Sequence, residues 1–264
     1  MDVHVDIRKT LTDRGRCFTL QTQFASDQDY VVLFGPSGAG KSLTLQAIAG
    51  LVRPDAGHIR LGDHTLFDTK RGIDVPVRQR HVGFLFQDYA LFPHLSVAEN
   101  VGFGLRRLWQ WRPAAADRKR VEEMLDIFEL RPLAAAMPRH LSGGQRQRAA
   151  LARALIAKPD ILLLDEPFAA LNPLLRARMR TELLRIREHF DVPVILITHD
   201  QEDVETFGET LVMVEDGAVR GVWPFKSLRD RQSRGAGEQG ALERMRRMLE
   251  QSGLQGYTGS LTPL

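Results

Sequence analysis

A glycine-rich turn that ends in lysine and serine follows a run of four apolar residues. The run Val31–Phe34 leads into Gly35-Pro36-Ser37-Gly38-Ala39-Gly40-Lys41-Ser42. Glycines allow backbone N–H groups to turn inward around a polyphosphate, at distances that a Cβ would obstruct. Lys41 can then reach the β- and γ-phosphates, and Ser42 can place its hydroxyl on Mg²⁺. The stretch from Gly35 to Leu43 is therefore the predicted phosphate-binding loop; a plain glycine-rich turn between a strand and a helix is the alternative.

Two carboxylates end another apolar run. Asp165 and Glu166 directly follow Ile161–Leu164. Strands of continuous apolar residues are typical of parallel sheets, whose ligands bind at the carboxyl ends of the strands. Asp165 is therefore predicted to hold Mg²⁺ through its hydration shell, and Glu166 to accept a proton from an attacking water. Ordinary solvated carboxylates are the alternative interpretation.

A glutamine and a histidine end two further apolar runs in the same way. Gln87 ends the predicted strand Val82–Phe86, and His199 follows the run Val194–Ile197 and Thr198. We expect His199 to contact the γ-phosphate, and Gln87 to reach both Mg²⁺ and the attacking water. A purely structural role is the alternative for the histidine.

The decisive evidence for a family resemblance is the pentapeptide Leu141-Ser142-Gly143-Gly144-Gln145. The chain from about residue 1 to residue 225 resembles the ATPase subunit of ATP-binding-cassette (ABC) transporters, and the pentapeptide matches the signature loop of that family at full length. The resemblance implies an ATPase that uses ATP and Mg²⁺ and forms a head-to-tail homodimer. In that dimer, Ser142, Gly143, Gly144 and Gln145 of one subunit close on the nucleotide held by the phosphate-binding loop of the other. N–H groups at a helix start would form this second anion site.

Two positions depart from the family pattern. The family usually has an aspartate where this chain has Asn172, in the loop after Glu166. Asn172 can still cap the helix that Pro173 is predicted to open, but it carries no charge. An aromatic residue of the first β turn usually stacks on adenine, and residues 12–16 contain none. Phe18 is therefore the candidate for this contact, with a role as a core strand residue as its alternative.

The elements around these residues predict an α/β fold. Alternating apolar residues predict an antiparallel pair of strands joined by Asp13-Arg14-Gly15, and hairpins at residues 58–67 and 211–222. Helices are predicted from Lys41 and over Arg148–Ala157. The resemblance specifies the fold as the P-loop NTPase ABC ATPase core: a mostly parallel sheet with an N-terminal antiparallel β subdomain and an inserted helical subdomain.

The resemblance implies an ABC ATPase domain at residues 1–225, and a change in composition separates a tail at 226–264 from it. A helical insertion is predicted at about 88–155, where Val121, Met124, Leu125 and Phe128 fall on one helix face. The tail is basic and rich in Arg, Gln, Gly and Ser, which predicts a poorly ordered segment with one short helix at most.

Composition also bounds the location of the protein. The 264 residues are 43% hydrophobic and 26% charged, as in an ordinary globular protein. A net charge of +3 fits either solvated arginine-rich surfaces or attraction to anionic lipid headgroups. The single cysteine, Cys17, allows no internal disulfide and favours a reducing compartment. We expect no secretory signal and no membrane span, and hence a peripheral protein at the cytoplasmic face of the cell membrane.

The segment that begins at Gln87 indicates a branch of the family. Residues 87–101 resemble the corresponding segment in ATPase subunits of importers for oxyanions, ferric iron, polyamines and sugars. Residues 66–73 and the phosphate-binding loop are similar to those segments in molybdate importers in particular. The resemblance implies a subunit that powers uptake of molybdate or a related oxyanion through a membrane permease, which a solute-binding protein supplies. Sulfate, ferric iron, a polyamine or a sugar is the alternative cargo.

The resemblance also implies where the permease binds. Residues 87–104 would contact it, with exposed Tyr89, Phe92 and Leu95 as anchors; local packing is the alternative role of these side chains. A competing class is a soluble ABC ATPase clamp that acts on nucleic acid or ribosomes. The sequence shows neither the long coiled coil nor the zinc insertion expected of that class, so no nucleic-acid partner is expected.

Overall fold

A computed structural model describes residues 2–13, 15–105, 115–169 and 171–225. The predicted tail at 226–264 lies outside the described residues, as does Arg14 of the predicted first turn. The chain forms two compact units. One comprises Met1–Pro76 and the chain from Ile195 onward, and the other comprises Val77–Val194.

Strands and helices of the described residues follow in chain order. They are β1 (Val3–Asp13), β2 (Arg16–Ser26), β3 (Tyr30–Phe34), α1 (Lys41–Ala49), β4 (Ala56–Leu61), β5 (His64–Asp68), β6 (Ile73–Asp74), β7 (Val82–Leu85), α2 (Val97–Val101), α3 (Ala115–Ile127), α4 (Gly143–Leu155), β8 (Ile161–Asp165), α5 (Pro173–Phe190), β9 (Val194–Thr198), α6 (Gln201–Phe207), β10 (Thr210–Glu215) and β11 (Ala218–Pro224). None of these helices is long and apolar enough to cross a membrane.

The first unit is a sheet in the strand order β6-β5-β4-β1-β2-β11-β10-β3-β9. β1 and β2 pair antiparallel from Val3 opposite Ser26 to Asp13 opposite Arg16, so the predicted first hairpin is confirmed. β3 pairs parallel with β10, and all five of its residues are buried. A continuous apolar run suits this central position because both faces of the strand are covered.

The second unit contains the parallel pair β7 and β8, in which Val82 lies opposite Ile161 and Leu85 opposite Leu164. α4 packs closely on β7, since a Cβ on Gly83 would lie 2.9 Å from the carbonyl oxygen of Ala154. The core of this unit includes Phe128, Leu130, Leu155 and Met179, all buried.

Helix boundaries in the second unit differ from the predicted ones. α4 begins at Gly143 rather than Arg148, because Ser142 caps it, and it ends at Leu155 rather than Ala157. Phe128 was predicted on the face of α3 but lies one residue after that helix; it is buried nonetheless, at 1% exposure. The extent of the predicted helical insertion, about 88–155, remains a prediction.

Candidate functional site

The predicted phosphate-binding loop follows β3, where two glycines occupy positions closed to other residues. Gly35 has φ 152°, and a Cβ on it would lie 2.0 Å from the carbonyl oxygen of Val214. Gly40 has φ 98°, and a Cβ there would lie 2.6 Å from Cδ1 of Leu20. The backbone of the loop therefore packs directly on β10 at one end and on β2 at the other, which fixes its path.

Lys41 is buried against this loop despite its charge. It is the first residue of α1 and is only 4% exposed. Its Nζ donates hydrogen bonds to the carbonyl oxygens of Gly35, at 2.8 Å, and Pro36, at 2.7 Å. The first turn of α1 contains no acidic residue. The ammonium and the N–H groups at the start of α1 therefore place positive charge beside the exposed backbone of Ser37 and Gly38, as a polyphosphate requires.

Phe18 packs against the same loop. A Cβ on Gly40 would lie 3.2 Å from Cζ of Phe18, and a Cβ on Gly217 would lie 3.3 Å from the same atom. The N–H of Gly217 donates to the carbonyl oxygen of Ala39 at 3.1 Å, which ties the β10–β11 turn to the loop. Phe18 is half-buried, so part of its surface stays accessible. Stacking of Phe18 on adenine stays a prediction.

His199 also belongs to the first unit, and the backbone on both sides of it is fixed. The hydroxyl of Thr198 donates to Oδ2 of Asp203 at 2.5 Å and accepts from the N–H of Asp200 at 3.0 Å. Oδ1 of Asp200 accepts from the N–H of Glu202 at 2.9 Å and caps α6. The histidine itself is exposed. It can therefore contact a ligand from a rigid support.

Gln87, Asp165 and Glu166 lie at the carboxyl ends of the parallel pair β7 and β8, as the sequence predicts. Asp165 is the last residue of β8 and is buried, whereas Glu166 is half-buried and Gln87 is exposed. Glu166 has φ 45°, a left-handed conformation that costs about 1–2 kcal/mol for a residue other than glycine. The N–H of Ala169 closes the next turn on the carbonyl oxygen of Glu166, at 3.2 Å. This strain is typical of residues whose direction matters for function.

The signature loop forms a capping box at the start of α4. The N–H of Gln145 donates to Oγ of Ser142 at 3.3 Å, and the N–H of Ser142 donates to Oε1 of Gln145 at 2.8 Å. A Cβ on Gly144 would lie 3.3 Å from Cδ1 of Leu175 in α5. Gly143 is similarly close to Leu171. The loop is therefore held against the chain that follows Glu166, while Ser142 stays exposed.

Asn172 takes the capping role that the sequence predicts. Its Oδ1 accepts a hydrogen bond of 2.9 Å from the N–H of Leu175, and Pro173 is the first residue of α5. Asn172 itself is exposed. The departure from the family pattern at this position therefore keeps the helix cap and removes only a charge.

The prediction that Tyr89 is an exposed anchor is wrong. Tyr89 is 4% exposed, and burial raises the pKa of its phenol. Tyr89 and Ala90 both have positive φ, so the chain turns there and takes the ring inward. Phe92 and Leu95 are half-buried. The ring of Phe92 lies 4.2 Å from that of Phe103.

Asn100 organises this segment, although no residue pattern predicted this role for it. The fully buried Asn100 accepts from the N–H of Phe92 at 2.8 Å. Its Nδ2 donates to the carbonyl oxygens of Phe92, Leu95 and Ser96, at 2.9–3.1 Å. The available signal was the capping box of Ser96 and Glu99, which predicts a helix start and therefore places Asn100 in its first turns.

The residues predicted to hold Mg²⁺ offer suitable atoms. Ser42, Gln87 and Asp165 supply hydroxyl, amide and carboxylate oxygens, the hard ligands that Mg²⁺ prefers. Within the ranges that the structure describes, no group of three or more His, Cys, Asp or Glu could hold a metal ion. Proteins usually bind Mg²⁺ through one or two carboxylates and the phosphates of a substrate, and Asp165 would be the carboxylate ligand here.

Comparison with known proteins decides the family. A protein-family model described as "ABC transporter" matches residues 22–169, which is more than half of the chain. The chain belongs to the ABC transporter family. This ABC protein is 41% identical over 196 residues to the trehalose/maltose import ATP-binding protein MalK of Thermococcus litoralis, a match that covers 74% of this chain and 52% of MalK. It is 42% identical over 227 residues to the molybdenum import ATP-binding protein ModC of Mycobacterium tuberculosis, which covers 85% of this chain and 60% of ModC.

Solved structures agree on the fold. The dimeric ATP-binding cassette MJ0796, in a post-hydrolysis state bound to ADP and Pi, is 30% identical with a TM-score of 0.70, covering 86% of this ABC chain and 100% of that chain. The predicted ABC ATPase core is therefore confirmed. The chain spans only 52% to 60% of the length of the two curated relatives named above.

Proposed function

We propose that this ABC protein is the ATP-binding and ATP-hydrolysing subunit of an importer. The observation that carries the proposal is the capped signature loop at the start of α4. Many nucleotide-binding folds contain a phosphate-binding loop, but this pentapeptide distinguishes the ABC family from them. The buried ammonium of Lys41 and the strained Glu166 support a site that acts on a bound triphosphate.

The predicted catalytic, phosphate-binding and Mg²⁺-binding residues each have a role in this proposal. The loop from Gly35 to Leu43 binds the phosphates through backbone N–H groups and Lys41. Ser42, Gln87 and Asp165 would hold Mg²⁺, which when bound neutralises charge on the phosphate oxygens. Glu166 takes a proton from the water whose oxygen attacks the γ-phosphorus, and the bond to the β-phosphate oxygen breaks to release ADP. His199 and Gln87 orient the γ-phosphate and the water.

The proposed partners follow from the same residues. A second copy of the chain would supply Ser142, Gly143, Gly144 and Gln145 to each nucleotide in a head-to-tail dimer. The solved cassette MJ0796 is dimeric, which supports a dimer of this chain. A membrane permease would bind residues 87–104 on the cytoplasmic face, where Phe92 and Leu95 replace Tyr89 as candidate anchors. A solute-binding protein would act only through the permease.

Nucleotide assays on two variants test the activity. We expect Lys41→Ala to abolish ATP binding, because the ammonium at the loop is lost. We expect Glu166→Gln to keep ATP binding and to lower steady-state hydrolysis about a hundredfold or more, because an amide cannot take the proton. Equilibrium binding and phosphate release measure the two effects. Undiminished hydrolysis by Glu166→Gln would remove the glutamate from the role of base.

Molybdate or a related oxyanion is the proposed cargo. The sequence similarity of residues 66–73 and the resemblance to ModC support it, although the sugar importer subunit MalK is nearly as similar. Uptake of labelled molybdate, with sulfate as control, in source cells whose only copy carries Glu166→Gln is the test. Selective loss of molybdate uptake is expected. Unchanged uptake of both ions would leave the ATPase proposal standing and move the cargo to iron, polyamines or sugars.

A further inference from the structure

The backbone just after Gln87 has a conformation that few residues adopt. Tyr89 has φ 66° and Ala90 has φ 41°, so two consecutive residues other than glycine are left-handed. Local bonds involve only their N–H groups: Tyr89 donates to the carbonyl oxygen of Phe86 at 2.9 Å, and Ala90 donates to Oδ1 of Asp88 at 3.1 Å. Such a conformation persists only where further contacts fix it.

Arg153 of α4 supplies those contacts. Its Nη2 donates to the carbonyl oxygen of Tyr89 at 2.8 Å, and its Nη1 donates to that of Ala90 at 2.6 Å. The same guanidinium lies 5.5 Å from the ring centroid of Phe92, a cation–π distance. Arg153 is half-buried, and this burial lowers the pKa of its guanidinium. The planar guanidinium holds two separate N–H donors in a fixed fork, one for each carbonyl oxygen, whereas a lysine ammonium would have to reach both from a single nitrogen, so lysine is not an equivalent replacement.

Arg153 lies on the same helix as the signature loop. α4 runs from Gly143 to Leu155 and is capped at Ser142. At a rise of about 1.5 Å per residue, Arg153 is about 16 Å along the helix from Ser142, or three turns. Because one hydrogen-bonded helix joins Ser142 to Arg153, the signature loop and the group that holds the carbonyl oxygens of Tyr89 and Ala90 belong to the same element.

We propose that Arg153 is a positioning residue that couples Gln87 to the signature helix. The inference rests on the proposed ATPase function, in which Gln87 reaches the attacking water. Arg153 acts through its hydrogen bonds to the carbonyl groups of Tyr89 and Ala90. These bonds hold the left-handed turn, and the turn fixes the direction of the Gln87 side chain. Gln87 is then in place only when the signature helix is in place.

The test combines Arg153→Lys with Gln87→Ala in the full chain. We expect Arg153→Lys to lower kcat for MgATP roughly tenfold and to leave KM unchanged, because positioning and not nucleotide binding is lost. In the Gln87→Ala background the same replacement should change kcat by less than about twofold, because its target is already gone. Equal factors in both backgrounds, or a rise in KM, would overturn the proposal.

Arg120→Lys is the matched control. Arg120 also donates from Nη2 to a backbone carbonyl of the second unit, that of Ile156 at 2.7 Å, but not to the segment after Gln87. Arg120→Lys should keep the wild-type kcat. A similar fall in kcat for Arg120→Lys and Arg153→Lys would contradict the proposal, because the loss of any such hydrogen bond would then lower kcat. If Arg153→Lys does not fold, Phe92→Leu replaces it in the same cycle, because it removes the cation–π contact with Arg153 and the ring contact with Phe103 but none of the groups that hydrogen-bond to Tyr89 and Ala90. ATP hydrolysis by the wild type that is lost in Lys41→Ala would support the proposed function independently of the results for the Arg153 variants.

Discussion

At the scale of single residues, the backbone conformation fixes how the predicted site residues are placed within each unit. Lys41 is buried because carbonyl groups of its own loop surround it, and Glu166 keeps its direction through a strained φ of 45°. Neither property can be read from residue type alone. Asn172 shows the reverse case, since the residue departs from the family pattern while its structural role is unchanged.

The replacement Asn172→Asp separates these two roles. A carboxylate at this position can still accept the hydrogen bond from the N–H of Leu175, and its negative charge suits the N-terminus of α5. We expect the free energy of unfolding to fall by no more than about 0.5 kcal/mol, and hydrolysis to stay the same or rise. Urea denaturation and steady-state phosphate release measure both.

A clear loss of hydrolysis with unchanged stability would contradict this expectation, because it would show that the neutral amide itself is required. Asn172→Ala is the control. It removes the cap, so it should cost about 1 kcal/mol of stability.

At the scale of elements, continuous apolar runs and alternation predicted the strands well. β3, β8 and β9 each coincide with such a run, and the three hairpins follow from turn residues between alternating stretches. The same patterns placed Gln87, Asp165, Glu166 and His199 at strand ends. These patterns succeed because burial on one or both faces of a sheet directly constrains residue type.

The failures have a physical reason too. α4 was predicted to start five residues late, because glycines at its first two positions conceal a helix whose start depends on the capping box of Ser142 and Gln145. Tyr89 was predicted to be exposed because the residue pattern does not reveal the left-handed turn at Tyr89 and Ala90, whose carbonyl groups bond to Arg153, a residue 64 positions away from Tyr89 in the chain. Arg153 was missed since its partners are backbone carbonyl groups, which leave no trace in a residue pattern. For Asn100 the capping box of Ser96 and Glu99 indicated the helix but not the backbone groups that the amide binds.

At the scale of the whole molecule, the proposed head-to-tail dimer makes each nucleotide depend on two chains. One chain supplies the loop with Lys41, and the other supplies Ser142. Two inactive variants should therefore restore each other. In a mixed dimer of Lys41→Ala and Ser142→Asp subunits, one nucleotide site contains both substitutions. The other site combines the intact Lys41 of one subunit with the intact Ser142 of the other.

Ser142→Asp is the right partner variant because aspartate keeps the helix cap while its charge repels a phosphate. We expect each variant alone to be inactive, and an equimolar mixture, co-refolded or co-expressed, to recover up to about a quarter of wild-type ATP hydrolysis, since random pairing makes half of the dimers mixed. Ser96→Asp, the same change in the capping box of α2, is the control and should keep full activity on its own. Sites built within one chain would leave the mixture inactive, because every chain would carry a defect in its own site.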